Sequence, residues 1–137
     1  MSDKFITHFD VSASGLTAER TRMRIIASNI ANVNSTNSVE GGPYKRQAAV
    51  LESFKVPNSG LEQGVHIKEI VTDTSAPRLV YDPEHPDANA QGYVAYPNVN
   101  LVKEVTDMKT ATMAYQANIT AINATKQVIS RSLDIGR

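Results

Sequence analysis

The sequence predicts a mainly α protein with a small β-rich insertion between long, antiparallel, coiled-coil-like N- and C-terminal helices. Three observations carry this. From Leu101 the positions Leu101, Val105, Met108, Thr112, Tyr115, Ile119, Ile122, Lys126, Ile129 and Leu133 step by four and three in strict alternation, a heptad seam broken in apolar character only at Thr112 and Lys126. Near the other end, Phe9, Leu16, Met23 and Ile30 recur every seven residues. Between these segments the pattern changes to short alternating runs separated by Gly, Pro and Asn. The expected division is residues 1–35 and 98–137 for the helices and 36–97 for the insertion.

The first helix is expected over residues 5–30. Ile26 and Val33, with Ala13 and Ala27, widen the row of sevens into an apolar stripe on a polar helix. Gly15 reads as a weak point, costing about 1 kcal/mol against Ala. Arg20, Arg22 and Arg24 beside Glu19 read first as a solvated face, with contact to a partner as the alternative. Arg20 interrupts the stripe, where its aliphatic stem can lie along a seam while its head reaches water. The helix then runs into Asn29, Asn32, Asn34 and Asn37 with Ser28, Ala31 and Ser35 among them. Asn tolerates left-handed backbone and bonds its own turn, so Asn29 and Asn32 are expected to stabilise the helix exit through backbone hydrogen bonds.

Gly41-Gly42-Pro43 makes a turn, and the composition changes after it. Strands are expected at 44–54, at 65–72, at 79–81 and at 92–96, with turns at 57–60 and 82–92. The insertion spans some fifty residues and is too small for a robust domain of its own. A chain that leaves along one helix and returns along another makes the two antiparallel.

The last helix begins after Pro97, with Asn98 or Asn100 placed to cap it. A helix of roughly 34 residues is about 50 Å long, more than one small core covers. Each seam residue gains roughly 1.5–3 kcal/mol only when buried, against a backbone entropy cost of about 1–2 kcal/mol per residue. Partner helices are therefore required, some from this chain and the rest from elsewhere. The first helix is shorter by about two turns, so in one copy residues 129–135 have little to pack on. Both termini are expected to be mobile before assembly.

The chain has 137 residues, 41% of them hydrophobic, with 14 basic and 14 acidic side chains. Zero net charge argues against nucleic-acid or membrane-surface binding and favours association. With no Cys there is no disulfide or thiolate chemistry. No apolar run reaches membrane-span length, and the N-terminus lacks the apolar core of a secretory signal. His8, His66 and His85 stand apart, none at a metal-site spacing. The run Asp82, Glu84, His85, Asp87, Asn89 departs from a calcium loop, with Asp87 and Tyr93 where Gly and Glu are needed. No phosphate loop or nucleophile elbow is present. No enzyme, cofactor, metal or small-molecule substrate is expected.

With these elements in view, the chain resembles the bacterial flagellar axial (rod and hook) protein family, most of all the proximal rod proteins of the basal body. The carriers are Leu16-Thr17-Ala18, Ala27-Ser28-Asn29-Ile30-Ala31-Asn32-Val33-Asn34 and Pro43-Tyr44-Lys45-Arg46, then Gly92-Tyr93-Val94 and Pro97-Asn98-Val99-Asn100. They continue in Met113-Ala114-Tyr115-Gln116-Ala117-Asn118, Asn123-Ala124-Thr125-Lys126 and Leu133-Asp134-Ile135-Gly136. Ser-Asn-Ile-Ala-Asn is common to rod and hook proteins. The Gly-Tyr-Val to Pro-Asn-Val-Asn stretch is more specific to the proximal rod.

The resemblance implies a structural subunit of the basal-body rod, in the periplasmic space, exported by the flagellar type III apparatus without a cleaved signal peptide. Its partners would be other copies and other rod subunits, with no nucleic acid. Its helices would polymerise into the tube of the drive shaft, with the insertion facing outward. Subunit packing is then expected at Phe9, Leu16, Met23, Ile26 and Ile30, and at Leu101, Val105, Met108, Tyr115, Ile119, Ile122, Ile129 and Leu133. Ser28, Asn29, Ala31 and Asn32 form the helix-exit motif. A soluble coiled-coil adaptor or type III secreted accessory protein is the alternative. It explains the seams but not the Ala-Ser-Asn-Ile-Ala-Asn turn.

Overall fold

Two helices and two antiparallel hairpins make up the structure, a computed structural model that describes residues 2–55 and 63–136, with side chains from residue 8. In chain order they are α1 (Ser2–Ala31), β1 (Gln47–Lys55), β2 (Gln63–Thr72), β3 (Arg78–Tyr81), β4 (Tyr93–Tyr96) and α2 (Leu101–Ile135). The turn expected at 57–60 lies outside the described residues. The architecture is mainly α with a β insertion, as the periodicities predict.

The helix ends follow from local side-chain chemistry. Asn32 closes α1: its backbone N–H and its Nδ2 both donate to Ser28 O, at 3.1 and 2.8 Å, and Ser35 Oγ donates back to Asn32 Oδ1 at 3.0 Å. At the start of α2 the cap is Asn100, not Asn98. Asn100 Oδ1 accepts from the Lys103 N–H at 3.1 Å, and Glu104 adds a negative charge in the first turn.

α1 and α2 pack antiparallel. Asn29 meets Glu104 near one end of the pair, and Gly15 meets Asn118 about 20 Å along it. Ile30 therefore lies near the start of α2 and Phe9 near its second half. The interhelical core is slim: Ala18, Ile25, Ile26 and Ala111 are buried. A Cβ added to Gly15 would stand 2.8 Å from Asn118 Nδ2. The glycine that propensity marks as a weak point is thus where α1 makes room for the Asn118 side chain of α2.

The helices touch along a face displaced from the sequence seam. On α2 the α1-facing positions are Glu104, Met108, Ala111, Tyr115, Asn118 and Ile122, again in steps of four and three. Met108, Tyr115 and Ile122 belong to both sets and are half-buried, as is Ile129 of the seam. Leu101, Val105, Ile119 and Leu133 are exposed. On α1 the inner positions are Gly15, Ala18, Ile25 and Asn29, while Leu16, Met23 and Ile30 are half-buried and Phe9 is exposed. Residues 131–136 of the α2 end are exposed.

The β1–β2 hairpin lies along α1, pairing Gln47 with Thr72 at its base and Lys55 with Gln63 near its tip. A bulge between Val50 and Leu51 separates a half-buried base, 47–50, from exposed residues 51–55. The base sits at Asn29. Farther out, the Val65 N–H donates to Ser14 Oγ at 3.1 Å. Gly64 is buried there because a Cβ would meet Phe54 Cζ at 2.6 Å and Ser14 Oγ at 3.0 Å. Gly64→Val is expected to loosen this end of the hairpin by about 1–3 kcal/mol through overpacking. Amide exchange at Val65 reads it directly. Unchanged protection there would mean that the strand needs no close approach.

β3 and β4 form a small second hairpin, pairing Arg78 with Tyr96 and Tyr81 with Tyr93. Its loop is tied by Asn89 Oδ1, which accepts from the Gln91 and Tyr93 N–H groups at 3.0 and 2.9 Å. Val94 and Pro97 are buried where this hairpin leads into α2. Thr36 Oγ1 donates to Asp87 Oδ2 at 2.7 Å, joining the α1 exit to the same loop.

Candidate assembly surface

Two features stand out once the elements are placed: a buried polar clasp at one end of the helix pair, and an open apolar side along it.

The clasp is built around Asn29, which is fully buried. Its Nδ2 donates to Gln47 O at 2.8 Å and to Glu104 Oε2 at 2.9 Å. Its Oδ1 accepts from the Gln47 N–H and from Tyr44 OH, both at 2.9 Å. Both donors and both lone pairs of the amide are used. Toward Gln47 the side chain behaves as a neighbouring strand would, exchanging N–H and C=O. Because the Tyr44 proton goes to Asn29, Ser28 Oγ is the donor in its 3.3 Å contact with Tyr44 OH. Glu104 is 0% exposed, and its second oxygen accepts from Arg46 Nε at 2.7 Å. α1, the approach to β1 and α2 thus meet at one set of hydrogen bonds. Beside them, donation from the Ser75 hydroxyl and N–H holds the Asp73 carboxyl below the usual carboxylate range.

Of the helix-exit motif, Asn32 bonds within the α1 end as a cap does. Asn29 instead bonds the returning chain. Ser28 contributes its carbonyl to Asn32 and its hydroxyl to Tyr44, and Ala31 is exposed. The pairing of Arg46 with Glu104 is not legible in the sequence, because the two charges stand 58 residues apart and no local spacing links them. The signal available was Pro43-Tyr44-Lys45-Arg46, a run of polar anchors directly ahead of a strand.

The open side follows from helix geometry. We take Asn29 and Glu104 as the facing points and step about 100° per residue. Ser14 and Ser28, which touch the hairpin segment, then fall to one side of α1. Phe9, Leu16, Met23 and Ile30 fall to the other. On α2, Leu101, Val105 and Ile119 take the same sense of offset. Antiparallel helices wind in opposite senses when viewed from one end, so both rows share one side of the pair, opposite the hairpin. Val105 is 53% exposed and Ile119 37%. Val102 and Met113 extend the exposed apolar area farther round α2.

Among the described residues no group of three His, Asp or Glu side chains is gathered as a metal site, and no helix is long and apolar enough to cross a membrane. His66 packs on Phe54 and faces Glu52, while His85 Nδ1 accepts from the Asp87 N–H.

Residues 9–37 match the family described as flagella basal body rod protein, and residues 90–135 match the flagellar basal body rod FlgEFG protein C-terminal family. The matched segments hold Asn29 and Glu104. The chain is 43% identical to the flagellar basal-body rod protein FlgC of Bacillus subtilis, covering 93% of this chain and 95% of that one. It is 41% identical to FlgC of Borreliella burgdorferi, over 92% and 93% of the two chains. With FlgC of Aquifex aeolicus the identity is 41%, over 91% and 92%.

Proposed function

This chain belongs to the FlgC family of flagellar basal-body rod proteins, and from that premise we propose how its fold is used. It is a structural rod subunit serving motility. The α1–α2 layer polymerises, through its open apolar side, with further copies and with other rod subunits into the tube of the proximal rod. The β1–β2 hairpin, on the opposite side of the layer, faces outward. The subunit reaches the periplasmic space through the flagellar type III export apparatus and carries out no catalysis.

The observation that supports this reading is the pairing of two apolar rows on one side of the helix layer. Exposed apolar residues at Leu101, Val105 and Ile119 recur at helical spacing over about 27 Å of α2, and contiguous apolar area of this kind marks an interaction surface. Imaging of a purified basal body tests it. The expected density has α1 and α2 in the tube wall, with residues 47–55 on the outer surface. A rod with the hairpin lining the bore, or a basal body without this chain, would overturn the reading.

A further inference from the structure

We propose that the turn following α1 docks, through Val39 and Glu40, into a groove on α1 of a second copy of this chain. The inference rests on the reading that copies assemble, and it names a contact between them.

The turn is a rigid presenter. The Ser38 N–H donates to Gly42 O at 2.8 Å and the Gly41 N–H to Ser38 O at 2.9 Å. Gly41 and Gly42 hold φ of 84° and 74°, the left-handed region open to glycine. At the tip Val39 is 108% exposed, more than in an extended chain. An apolar side chain held out by a preorganised turn loses little conformational freedom on docking.

The matching groove lies on α1, about 280 Å³ in volume, lined by Ala13, Leu16, Thr17, Arg20 and Tyr115. Thr17 Oγ1 donates to Ala13 O at 3.1 Å, and Ala13 and Leu16 give the groove an apolar part that a Val side chain suits. At its rim Arg20 is exposed, and among the described residues it forms no ion pair. The neighbouring acid, Glu19, is engaged by Arg22 at 3.6 Å. Glu40 is exposed and likewise forms no ion pair among the described residues. Val39 supplies the apolar group and Glu40 the charge that Arg20 complements.

The guest cannot come from the same copy. Leu16 lies about 22 Å from the end of α1. The turn is held at that end by the Tyr44 N–H on Ser35 O and by Tyr44 OH on Asn29. Tip and groove are different surfaces, so each copy gives one contact and receives another. Such a heterologous contact propagates as a helix unless its rotation closes a ring.

The chain contains no Cys, so engineered pairs are unambiguous. The test is V39C with T17C in the bacterium that encodes the chain, with mild oxidation of isolated basal bodies. The expected result is a ladder of disulfide-linked oligomers that neither single variant gives. In parallel, Glu40→Arg is expected to lose swimming and Arg20→Glu, added to it, to restore swimming. Absence of the ladder from rods that contain the chain overturns the docking contact and leaves the assembly reading standing. A charge-swapped pair that stays non-motile, or a Glu40→Arg strain that swims normally, has the same consequence. A chain that never enters the basal body overturns both.

Discussion

Arg46→Ala is expected to destabilise the isolated protein by about 3–5 kcal/mol, because it removes one partner of a buried ion pair. Glu104 is fully buried, and its carboxylate has Arg46 Nε on one oxygen and Asn29 Nδ2 on the other. Without the guanidinium a buried charge is left with a single neutral donor. Arg46 itself is 21% exposed, so its head can reach water when Glu104 is removed instead. Glu104→Met should therefore cost less than Arg46→Ala. Its main penalty is one unsatisfied Asn29 donor, about 1–3 kcal/mol. The double variant should be more stable than Arg46→Ala alone. Urea unfolding of the four proteins measures the cycle. Additive losses, or an Arg46→Ala protein within about 0.5 kcal/mol of the parent, the range of ordinary surface changes, would show that the clasp is not a coupled unit.

The second large effect is expected at the open side of α2. Val105→Asp with Ile119→Asp should abolish swimming and exclude the chain from the rod. On assembly each carboxylate would leave water unpaired, at a cost of several kcal/mol, where the parent residue gains roughly 1.5–3 kcal/mol by burial. The penalty recurs in every copy. The isolated variant should fold nearly as well as the parent, since both positions are exposed and Asp in a helix costs at most about 0.7 kcal/mol in propensity. Ser53→Asp, on the exposed outer stretch of β1, serves as the control and should leave swimming intact. A doubly substituted strain that swims normally would place the assembly contacts elsewhere.

What the sequence revealed and what it hid have separate physical causes. Both helices were legible because periodic apolar spacing is local, and Pro97 and the Asn-rich run bound it. The strands were legible from alternation. β1 starts later than expected, at Gln47, because Tyr44 and Arg46 turn inward to Asn29 and Glu104. The face that α2 presents to α1 was not legible. Glu104 and Asn118 occupy it, and an apolar criterion passes over them to Leu101, Val105 and Ile119. Polar residues are tolerated there only because partners from distant segments complete them, Asn29 with Arg46 in one case. Gly15 shows the same limit: propensity counts its entropy and cannot see Asn118 across the gap. The exposure of Leu101, Val105 and Ile119 has a different cause from the excess length expected of the seam: they lie alongside α1 but off the face it covers.

The clasp also has a mechanical consequence. A helix pair held by small apolar contacts resists being pulled apart, yet it can slip lengthwise by one turn, about 5.4 Å, and find similar packing again. Hydrogen bonds have no such periodicity, since they fail within a fraction of an ångström. By pinning α1, α2 and the base of the hairpin at one end, Asn29, Glu104 and Arg46 remove the sliding mode and leave only bending. In a turning shaft, load reaching the hairpin would pass into both helices together, as shear across a fixed joint.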